Sequence, residues 1–342
     1  MTVPALSIED LRLTVRGPKS DANVLLGVDL EVGRGESVGL VGESGSGKSM
    51  TLRAITALAP PGSHVSGSIR VAGTDALAAR GRALRRLRGR EVGLIFQDPR
   101  SAINPTRRIG DFLLEASRDA GEDLAATRVR AVELLHGMGI ADAERRMSQY
   151  PFELSGGLLQ RIMIASVLLP RPTLILADEP TTALDVTTQS DVLLLTDDLR
   201  RAQGTAMVFV THDLDLALAV CSQVAVMYAG MIVEIGPAQE LRRQPRHPYT
   251  IGLLASRPPL DRRLSRIPAI PGIPLAAASF TSGCPFLARC PIRIERCQRE
   301  LPALTPTAIG RARCHRSAEI ASGSVSVDFS ATGSAAALDD AQ

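Results

Sequence analysis

The chain has no long hydrophobic run and little excess charge of either sign. None of its apolar stretches approaches the roughly 18–20 residues that an α-helix needs to cross a bilayer. Near the N-terminus, Glu9 and Asp10 stand where a signal peptide would have its apolar segment. A formal net charge of +3 over 342 residues gives no strong electrostatic footprint for nucleic acid. We therefore expect a cytosolic chain with no membrane span and no nucleic-acid partner.

Aromatic residues are also scarce, although the chain is not short of material for a core. Aromatic side chains make up 3% of the sequence, tryptophan is absent, and no aromatic residue precedes Phe96. Hydrophobic residues nevertheless reach 45%. A chain of this length and composition can bury a large core and is predicted to hold two unequal domains.

One motif is present in full, the phosphate-binding pattern GxxxxGK[ST]. It consists of Gly42, Glu43, Ser44, Gly45, Ser46, Gly47, Lys48 and Ser49. The apolar run over residues 36–41 predicts a buried strand before it, and residues 49–59 predict a helix after it. A chance glycine turn would not carry this strand–loop–helix context together with the lysine and the serine.

The residues of this loop have separate expected roles. Glycines at three positions let the backbone wrap closely around a polyphosphate, so that N–H groups and the positive end of the helix face its oxygens. Lys48 is expected to reach the β and γ phosphates, and the Ser49 hydroxyl to bind Mg²⁺. Met50, the next residue of the helix, is assigned to the same nucleotide site.

Two acidic residues follow a second predicted strand. Residues 173–177 form a continuous apolar run that ends in Asp178 and Glu179. Ligands of open α/β sheets collect at the carboxyl ends of the strands. Asp178 is therefore the candidate Mg²⁺ residue and Glu179 the candidate general base, although adjacent acids at a strand end are often only a solvated turn.

A third predicted strand, residues 205–210, is followed by Thr211, His212 and Asp213. A histidine in a loop is usually incidental. At the same edge of the sheet, however, His212 could donate a hydrogen bond to a γ-phosphate and respond to its loss. We favour this sensor role.

Six motifs in register make the chain resemble the nucleotide-binding subunits of ABC transporters over residues 1 to about 255. In chain order they are Walker A at 42–49, a Q-loop with Gln97, the signature Leu154-Ser155-Gly156-Gly157, Walker B at 174–179, a D-loop with Asp185, and the switch His212. The resemblance implies an α/β P-loop NTPase fold: an ABC-type nucleotide-binding domain with a mixed-sheet core and an inserted helical subdomain at about residues 98–166. It also implies ATP and Mg²⁺ as ligands.

The same resemblance implies the roles of the remaining motifs. Gln97 contacts the metal and the attacking water and links to the helical subdomain, while Asp185 communicates across a dimer. Ser155 is a helix N-cap, and the glycines Gly156 and Gly157 permit close approach, so this helix start forms a second anion site. The resemblance implies that it closes on ATP held by a second ABC ATPase subunit.

One position departs from the family pattern. ABC domains generally stack the adenine on an aromatic residue from the first strands, and Val15 occupies that place here. Valine offers apolar contact without stacking, whose aromatic version contributes about 0.5–1.5 kcal/mol beyond area burial. We expect weaker recognition of the base, compensated by contacts to the phosphates.

Proline and cysteine dominate the last third of the chain. Nine prolines between residues 256 and 306 predict a loop-rich segment without long helices or central strands. Cys284, Cys290, Cys297 and Cys314 lie in or just after it, whereas Cys221 is expected in the core. Clustered cysteines in a cytosolic protein favour metal ligation over disulfides, and the wide spacing suits an iron–sulfur cluster at least as well as zinc. His315 could replace one ligand, and four simple thiols are the remaining alternative.

This last third resembles the C-terminal extension of the oligopeptide/dipeptide importer ATPases. The similarity lies in His247-Pro248-Tyr249-Thr250, Gly283-Cys284-Pro285-Phe286 and Arg289-Cys290-Pro291. In members with all four cysteines it implies a [4Fe–4S] cluster. We accordingly predict a nucleotide-binding domain at 1–255, a small proline-rich extension at 256–316 and a disordered tail at 317–342.

The expected function is that of the ATPase subunit of a peptide importer. Its expected partners are a second ATPase subunit, two transmembrane permease subunits and an extracytoplasmic solute-binding protein, with the chain on the cytoplasmic face of the membrane. Alternatives are a nickel or other small-solute importer of the same branch, or a non-transport ABC ATPase. DNA-repair relatives commonly insert long coiled coils between Walker A and the signature, and translation-type relatives carry two nucleotide domains, neither of which this sequence shows.

Overall fold

The strands of the protein form two sheets in the computed structural model, which describes residues 3–17, 20–180, 186–256 and 268–329. The smaller sheet has four antiparallel strands in the order β2-β1-β4-β5. Its strands are β1 (Leu6–Val15), β2 (Ala22–Val32), β4 (His64–Val71) and β5 (Thr74–Asp75). Hydrophobic residues of this sheet share one buried cluster with residues of the larger sheet and of the first helix.

The larger sheet has eight strands in the order β11-β12-β10-β9-β3-β8-β7-β6. They are β3 (Ser37–Val41), β6 (Val92–Ile95), β7 (Leu174–Asp178), β8 (Ala206–Thr211), β9 (Gln223–Tyr228), β10 (Met231–Pro237), β11 (Thr305–Thr307) and β12 (Gly310–Ala312). Strands β6, β7, β8, β3 and β9 run parallel, whereas β10, β11 and β12 pair antiparallel. This confirms the predicted mixed-sheet α/β fold.

Continuous apolar runs explain why the central strands lie inside. Every residue of β3 and β8 is buried, as expected for strands of a parallel sheet that is covered on both faces. Helix α1 (Lys48–Ile55) follows β3 and stops four residues before the predicted end at residue 59. The Thr56 hydroxyl donates to the carbonyls of Leu52 and Arg53, and Ala57 adopts a positive φ of 52°, which turns the chain out of the helix.

Between β6 and β7 the chain is mostly helical. The helices are α3 (Pro99–Ala102), α4 (Ile109–Leu113), α5 (Glu115–Asp119), α6 (Leu124–Gly137), α7 (Ala143–Ser148) and α8 (Gly156–Leu168), preceded by α2 (Gly81–Arg86) before β6. Their apolar residues join a second buried cluster that extends to β7 and β8. The helical region therefore rests on the large sheet at the place where a helical subdomain was predicted.

The remaining helices follow β7 in the chain. They are α9 (Val186–Ala202), α10 (Leu214–Val220), α11 (Ala238–Arg243), α12 (Pro248–Ala255), α13 (Arg296–Arg299) and α14 (Ser317–Ser322). A third buried cluster joins α10 and α12 to β9 and to the cysteine-containing segment. Within the ranges that the structure describes, no helix has both the length and the apolar composition of a membrane span.

The C-terminal extension joins the large sheet instead of forming a layer of its own. Its hairpin, β11–β12, pairs with β10 through Glu234 opposite Ala312 and Ile235 opposite Arg311. Pro306 is tolerated because β11 is the outermost strand, where a missing backbone donor interrupts no inner hydrogen-bond ladder. The predicted boundary at residue 256 thus does not separate two independent sheets.

The prediction of a disordered tail is wrong for residues 317–329. They contain α14, which begins beside an ion pair between Arg316 and Glu319. Phe329 is buried in the third cluster. The prediction rested on the average composition of the tail, which did not indicate that one aromatic side chain would be buried and hold the segment in place. Residues 330–342, the rest of the predicted tail, lie outside the described residues.

Candidate nucleotide-binding and hydrolysis site

The phosphate-binding motif forms the connection from β3 to α1, as its spacing predicts. A Cβ atom at Gly42 would collide with the carbonyl oxygen of Met227 and lie 2.8 Å from the Ser46 hydroxyl. Gly47, the residue before α1, has a φ of 105°, a conformation that side chains rarely adopt. The loop can therefore follow this path only with glycine at both positions.

Lys48 is folded over the loop. Its ammonium donates to the carbonyl oxygens of Gly42 at 2.7 Å and Glu43 at 3.0 Å. Burial lowers the pKa of Lys48, whereas the carboxylates of Glu179, Asp178 and Glu43 act to raise it. A buried ammonium among these groups is a strong binding site for a polyphosphate.

Ser49 and Asp178 meet next to the loop. The Ser49 hydroxyl donates to Oδ1 of Asp178 at 2.9 Å, although the two residues are 129 positions apart. Burial raises the pKa of Asp178, with the Ser49 hydrogen bond opposing this effect and Glu179 adding to it. A hydroxyl and a carboxylate oxygen in contact are the hard ligands that Mg²⁺ takes in nucleotide sites.

Glu179 lies between the other two predicted catalytic side chains. Nδ1 of His212 is 3.1 Å from its Oε1, and the Gln97 amide nitrogen donates to its Oε2 at 3.4 Å. Glu179 adopts a positive φ of 46°, and its backbone N–H donates to Val210 at 3.0 Å. Strained backbone of this kind is found where a fold must aim a functional side chain. The structure thus places Gln97, Glu179 and His212 together.

The signature lies in the helical region, at the start of α8. As predicted, Ser155 caps this helix, with its hydroxyl accepting from the N–H of Leu158 at 3.4 Å. A Cβ atom at Gly156 would meet nothing within 4 Å, so this helix start is open to an approaching group. Its contact with a partner's nucleotide remains a prediction.

Three other predicted positions remain. Val15 ends β1 half-buried and packs, like Met50, against the cluster shared by the two sheets. Asp185, the predicted D-loop residue, lies outside the described residues, and so its role remains a prediction.

Sequence reasoning missed a buried polar contact of the signature helix. Gln160 is 1% exposed, and its amide donates to the carbonyl of Pro180, the residue after Glu179. The signal was a lone amide within the apolar stretch of α8. This contact joins the signature helix directly to the end of the strand that carries the candidate base.

Sequence reasoning also missed two groups that hold Glu43, the second residue of the loop. The Glu43 backbone N–H donates to the hydroxyl of Tyr249 at 3.0 Å. Its carboxylate accepts two hydrogen bonds from Arg289. Neither position belongs to a motif of the nucleotide site, and no spacing in the sequence indicates the contact.

The four clustered cysteines line a single small cavity, together with His247, His315 and Arg316. Burial raises the pKa of Cys284 and Cys290 to about 11 and that of Cys314 to about 12. Among the described residues, however, no three cysteine, histidine or acidic side chains stand close enough to share one metal ion. The four cysteines thus line the same cavity, but the expected iron–sulfur or zinc site is not confirmed.

The chain matches two protein families in different regions. Residues 25–182 match the family described as ABC transporter. Residues 233–297 match the family described as oligopeptide/dipeptide transporter, C-terminal region. The first region contains the phosphate loop, the signature and both acidic residues, and the second contains three of the four clustered cysteines.

Two named relatives align with nearly the whole of this chain. The probable D,D-dipeptide transport ATP-binding protein DdpD of Escherichia coli is 45% identical over 92% of this chain and 96% of its own length. The oligopeptide transport ATP-binding protein OppD of Salmonella typhimurium is 40% identical over 90% of this chain and 92% of its own.

A solved structure agrees on the fold. The ATP-binding cassette MJ0796, in a dimeric post-hydrolysis state bound to ADP and Pi, is 27% identical and has a TM-score of 0.59. The match covers 68% of this chain and 98% of the cassette. The chain therefore belongs to the ABC transporter ATP-binding proteins, a family of ATPases, and carries the C-terminal region of its oligopeptide/dipeptide branch.

Proposed function

We propose that this protein hydrolyses ATP to power the import of di- or oligopeptides through partner permeases. The observation that carries the proposal is the assembly of Ser49, Asp178, Gln97, Glu179 and His212 at one edge of the large sheet, in a chain with the oligopeptide/dipeptide C-terminal region. The names of the relatives DdpD and OppD support a peptide as the cargo over nickel or another small solute.

The side chains at this edge have distinct tasks in hydrolysis. The loop and Lys48 hold the phosphates, and Ser49, Asp178 and Gln97 would hold Mg²⁺, which when bound neutralises charge on the phosphates. The Glu179 carboxylate accepts a proton from a water that attacks the γ-phosphate in line. His212 and Gln97 contact the two oxygens of Glu179 and so fix its orientation.

The need for a second ATPase subunit follows because the phosphate loop and the signature of one chain would bind different ATP molecules. Ser155, Gly156 and Gly157 would close on ATP bound by a second ABC ATPase subunit, a further copy or a related chain, and Asp185 would lie at that interface. The open space at Gly156 and the dimeric state of MJ0796 support this arrangement. Two membrane permeases and an extracytoplasmic solute-binding protein would complete the importer, with this subunit peripheral on the cytoplasmic face of the cell membrane.

Peptide uptake is the direct test of this proposal. In cells that lack the gene, a plasmid copy is expected to restore uptake of labelled di- or oligopeptides, and a Glu179→Gln copy is expected to fail. Uptake of ⁶³Ni²⁺ but of no peptide would overturn the peptide assignment. Full ATPase activity of the purified protein without uptake of either solute would instead indicate a non-transport ABC ATPase.

We also propose that Cys284, Cys290, Cys297 and Cys314 bind an iron–sulfur cluster, with zinc as the alternative. Their position around one cavity supports a shared ligand, and so does the short length of the elements in this segment, since a small region gains order from such a link. Burial raises the pKa of Cys284, Cys290 and Cys314, so these three thiols need a bound cation to persist as thiolates at neutral pH.

Metal and sulfide analysis of anaerobically purified protein tests this assignment. We expect iron, acid-labile sulfide and visible absorbance, all lost in Cys290→Ser and all retained in Cys221→Ala, since Cys221 lies in a different buried cluster. Detection of zinc without acid-labile sulfide would show that the cysteines form a zinc site and not an iron–sulfur cluster. Protein that contains neither metal would show that the four cysteines are simple thiols.

A further inference from the structure

A partly buried ion pair, in which Arg289 is buried and Glu43 is half-buried, joins the C-terminal extension to the phosphate-binding loop. Nη1 of Arg289 lies 2.7 Å from Oε2 of Glu43 and Nη2 lies 3.0 Å from Oε1, a two-pronged contact between residues 246 positions apart. The Arg289 side chain is only 4% exposed. Two-pronged contacts between arginine and a carboxylate are among the strongest and most directional hydrogen-bonded pairs in proteins.

The extension holds the Arg289 guanidinium rigidly. Its Nε donates to the carbonyl of Pro271 at 2.8 Å, and its carbon lies 5.8 Å from the ring centre of Tyr228 and 5.9 Å from that of Phe286. Its position is set by the extension and by β9.

Glu43 is fastened at each of its polar groups. Arg289 takes the carboxylate, the Tyr249 hydroxyl accepts from the backbone N–H, and the backbone oxygen accepts from Lys48 at 3.0 Å. We call Glu43, Tyr249 and Arg289 the loop clamp. Because the Glu43 carbonyl accepts a hydrogen bond from Lys48, the clamp also helps to position the ammonium that is to bind the phosphates.

Charge gives the clamp a second effect. Glu43 is a carboxylate in a loop that must bind a polyanion, and its field reaches the Lys48 ammonium. With Arg289 in place, that negative charge is neutralised by a cation that belongs to the extension. Without Arg289, the bare carboxylate would oppose every phosphate group that enters.

We propose that Arg289 is a positioning residue for the ATP site, which acts by orienting Glu43 and cancelling its charge. The extension thus controls ATP affinity from outside the nucleotide-binding motifs. This inference rests on the assignment of the phosphate loop as the nucleotide site. It does not depend on the solute that is transported or on any metal at the cysteines.

Equilibrium binding of ATP and steady-state ATPase assays test the clamp in the full chain. Arg289→Met is expected to raise the Kd and KM for ATP about tenfold, while kcat changes less than about twofold, because Glu179, His212 and Gln97 are not touched. This increase in Kd and KM should become smaller as the salt concentration rises, because it comes from repulsion between the phosphates and the partly exposed Glu43 carboxylate, which salt screens. In the double variant Glu43→Gln/Arg289→Met, affinity should recover to within about threefold of the original chain.

Two further variants distinguish an effect of the clamp on ATP binding from a general loss of folding. Arg296→Met removes an exposed arginine that pairs with Glu300 in the same extension, and it should bind ATP normally. Tyr249→Phe leaves the ring packed and removes only the hydroxyl that receives the Glu43 N–H, so it should weaken ATP binding about threefold at any salt concentration. Circular dichroism and thermal melting check that each variant is folded.

Several results would overturn the proposal. Unchanged ATP affinity in folded Arg289→Met would do so, as would a double variant no better than Arg289→Met, or, if Arg289→Met does not fold, unchanged affinity in Tyr249→Phe. Failure of the original chain to bind ATP is a separate outcome. It would refute the nucleotide-site assignment on which the inference rests.

Discussion

Glu179→Gln is expected to abolish ATP hydrolysis and leave ATP binding intact. The amide keeps the shape of the side chain and its contacts with Gln97 and His212, but it cannot accept a proton from the attacking water. We expect release of inorganic phosphate to fall at least about a hundredfold, the scale of lost general-base catalysis. The bound nucleotide should then hold two subunits together, so gel filtration with Mg²⁺ and ATP should show a long-lived dimer.

The matched control for this variant is Glu295→Gln. Glu295 is exposed and pairs only locally with Arg299 on the surface of the extension, so its loss should change neither hydrolysis nor dimerisation. Near-normal phosphate release from Glu179→Gln would contradict the assignment of Glu179 as the base. Loss of ATP binding in the same variant would show instead that its carboxylate is needed to build the site.

The sequence predicted the candidate catalytic site at the edge of the large sheet because each of its parts can be recognised from a short stretch of sequence. The loop is a contiguous motif, and the acids and His212 directly follow apolar runs that became β7 and β8. Adjacent parallel strands end at the same edge of a sheet, so placing each group at a strand end was enough to bring them together. The hydrogen bond between Ser49 and Asp178 is the direct result.

The loop clamp could not be predicted in the same way. Glu43 occupies a position where the motif accepts any residue, and its partner lies 246 positions away in a segment rich in proline. Nothing in the local pattern of either residue depends on the other. Only the folded path of the extension, which passes over β9 and the loop, brings them into contact.

The hairpin of the extension was missed for a related reason. Its strands are three residues long and one contains Pro306. Neither an alternation of polar and apolar residues nor the length of a run therefore indicated a strand. What forms it is the edge of β10, whose backbone groups pair with β12. Gly236 and Gly310 permit this approach, since a Cβ atom on either would meet the opposite backbone. Such pairing depends on the neighbouring strand, and short edge strands carry little signal of their own.

Lys48→Met is expected to remove ATP binding itself, in contrast to Glu179→Gln. Methionine keeps most of the length and the apolar stem of the lysine, but it lacks the charge that faces the phosphates and the donor to the carbonyls of Gly42 and Glu43. A buried cation that meets a polyphosphate is worth several factors of ten in affinity. We therefore expect the Kd for ATP to rise at least about a hundredfold and hydrolysis to disappear.

Thermal melting separates the two variants, because ligand that binds only the folded state raises its stability according to the ratio of ligand concentration to Kd. Added Mg²⁺ and ATP should raise the melting temperature of the original chain and of Glu179→Gln, but not that of Lys48→Met. Arg299→Met, which removes an exposed cation that pairs with exposed Glu295 in the extension, should respond like the original chain. If Lys48→Met is stabilised as strongly as Glu179→Gln, the phosphates do not depend on Lys48, and the nucleotide lies elsewhere than in the loop between β3 and α1.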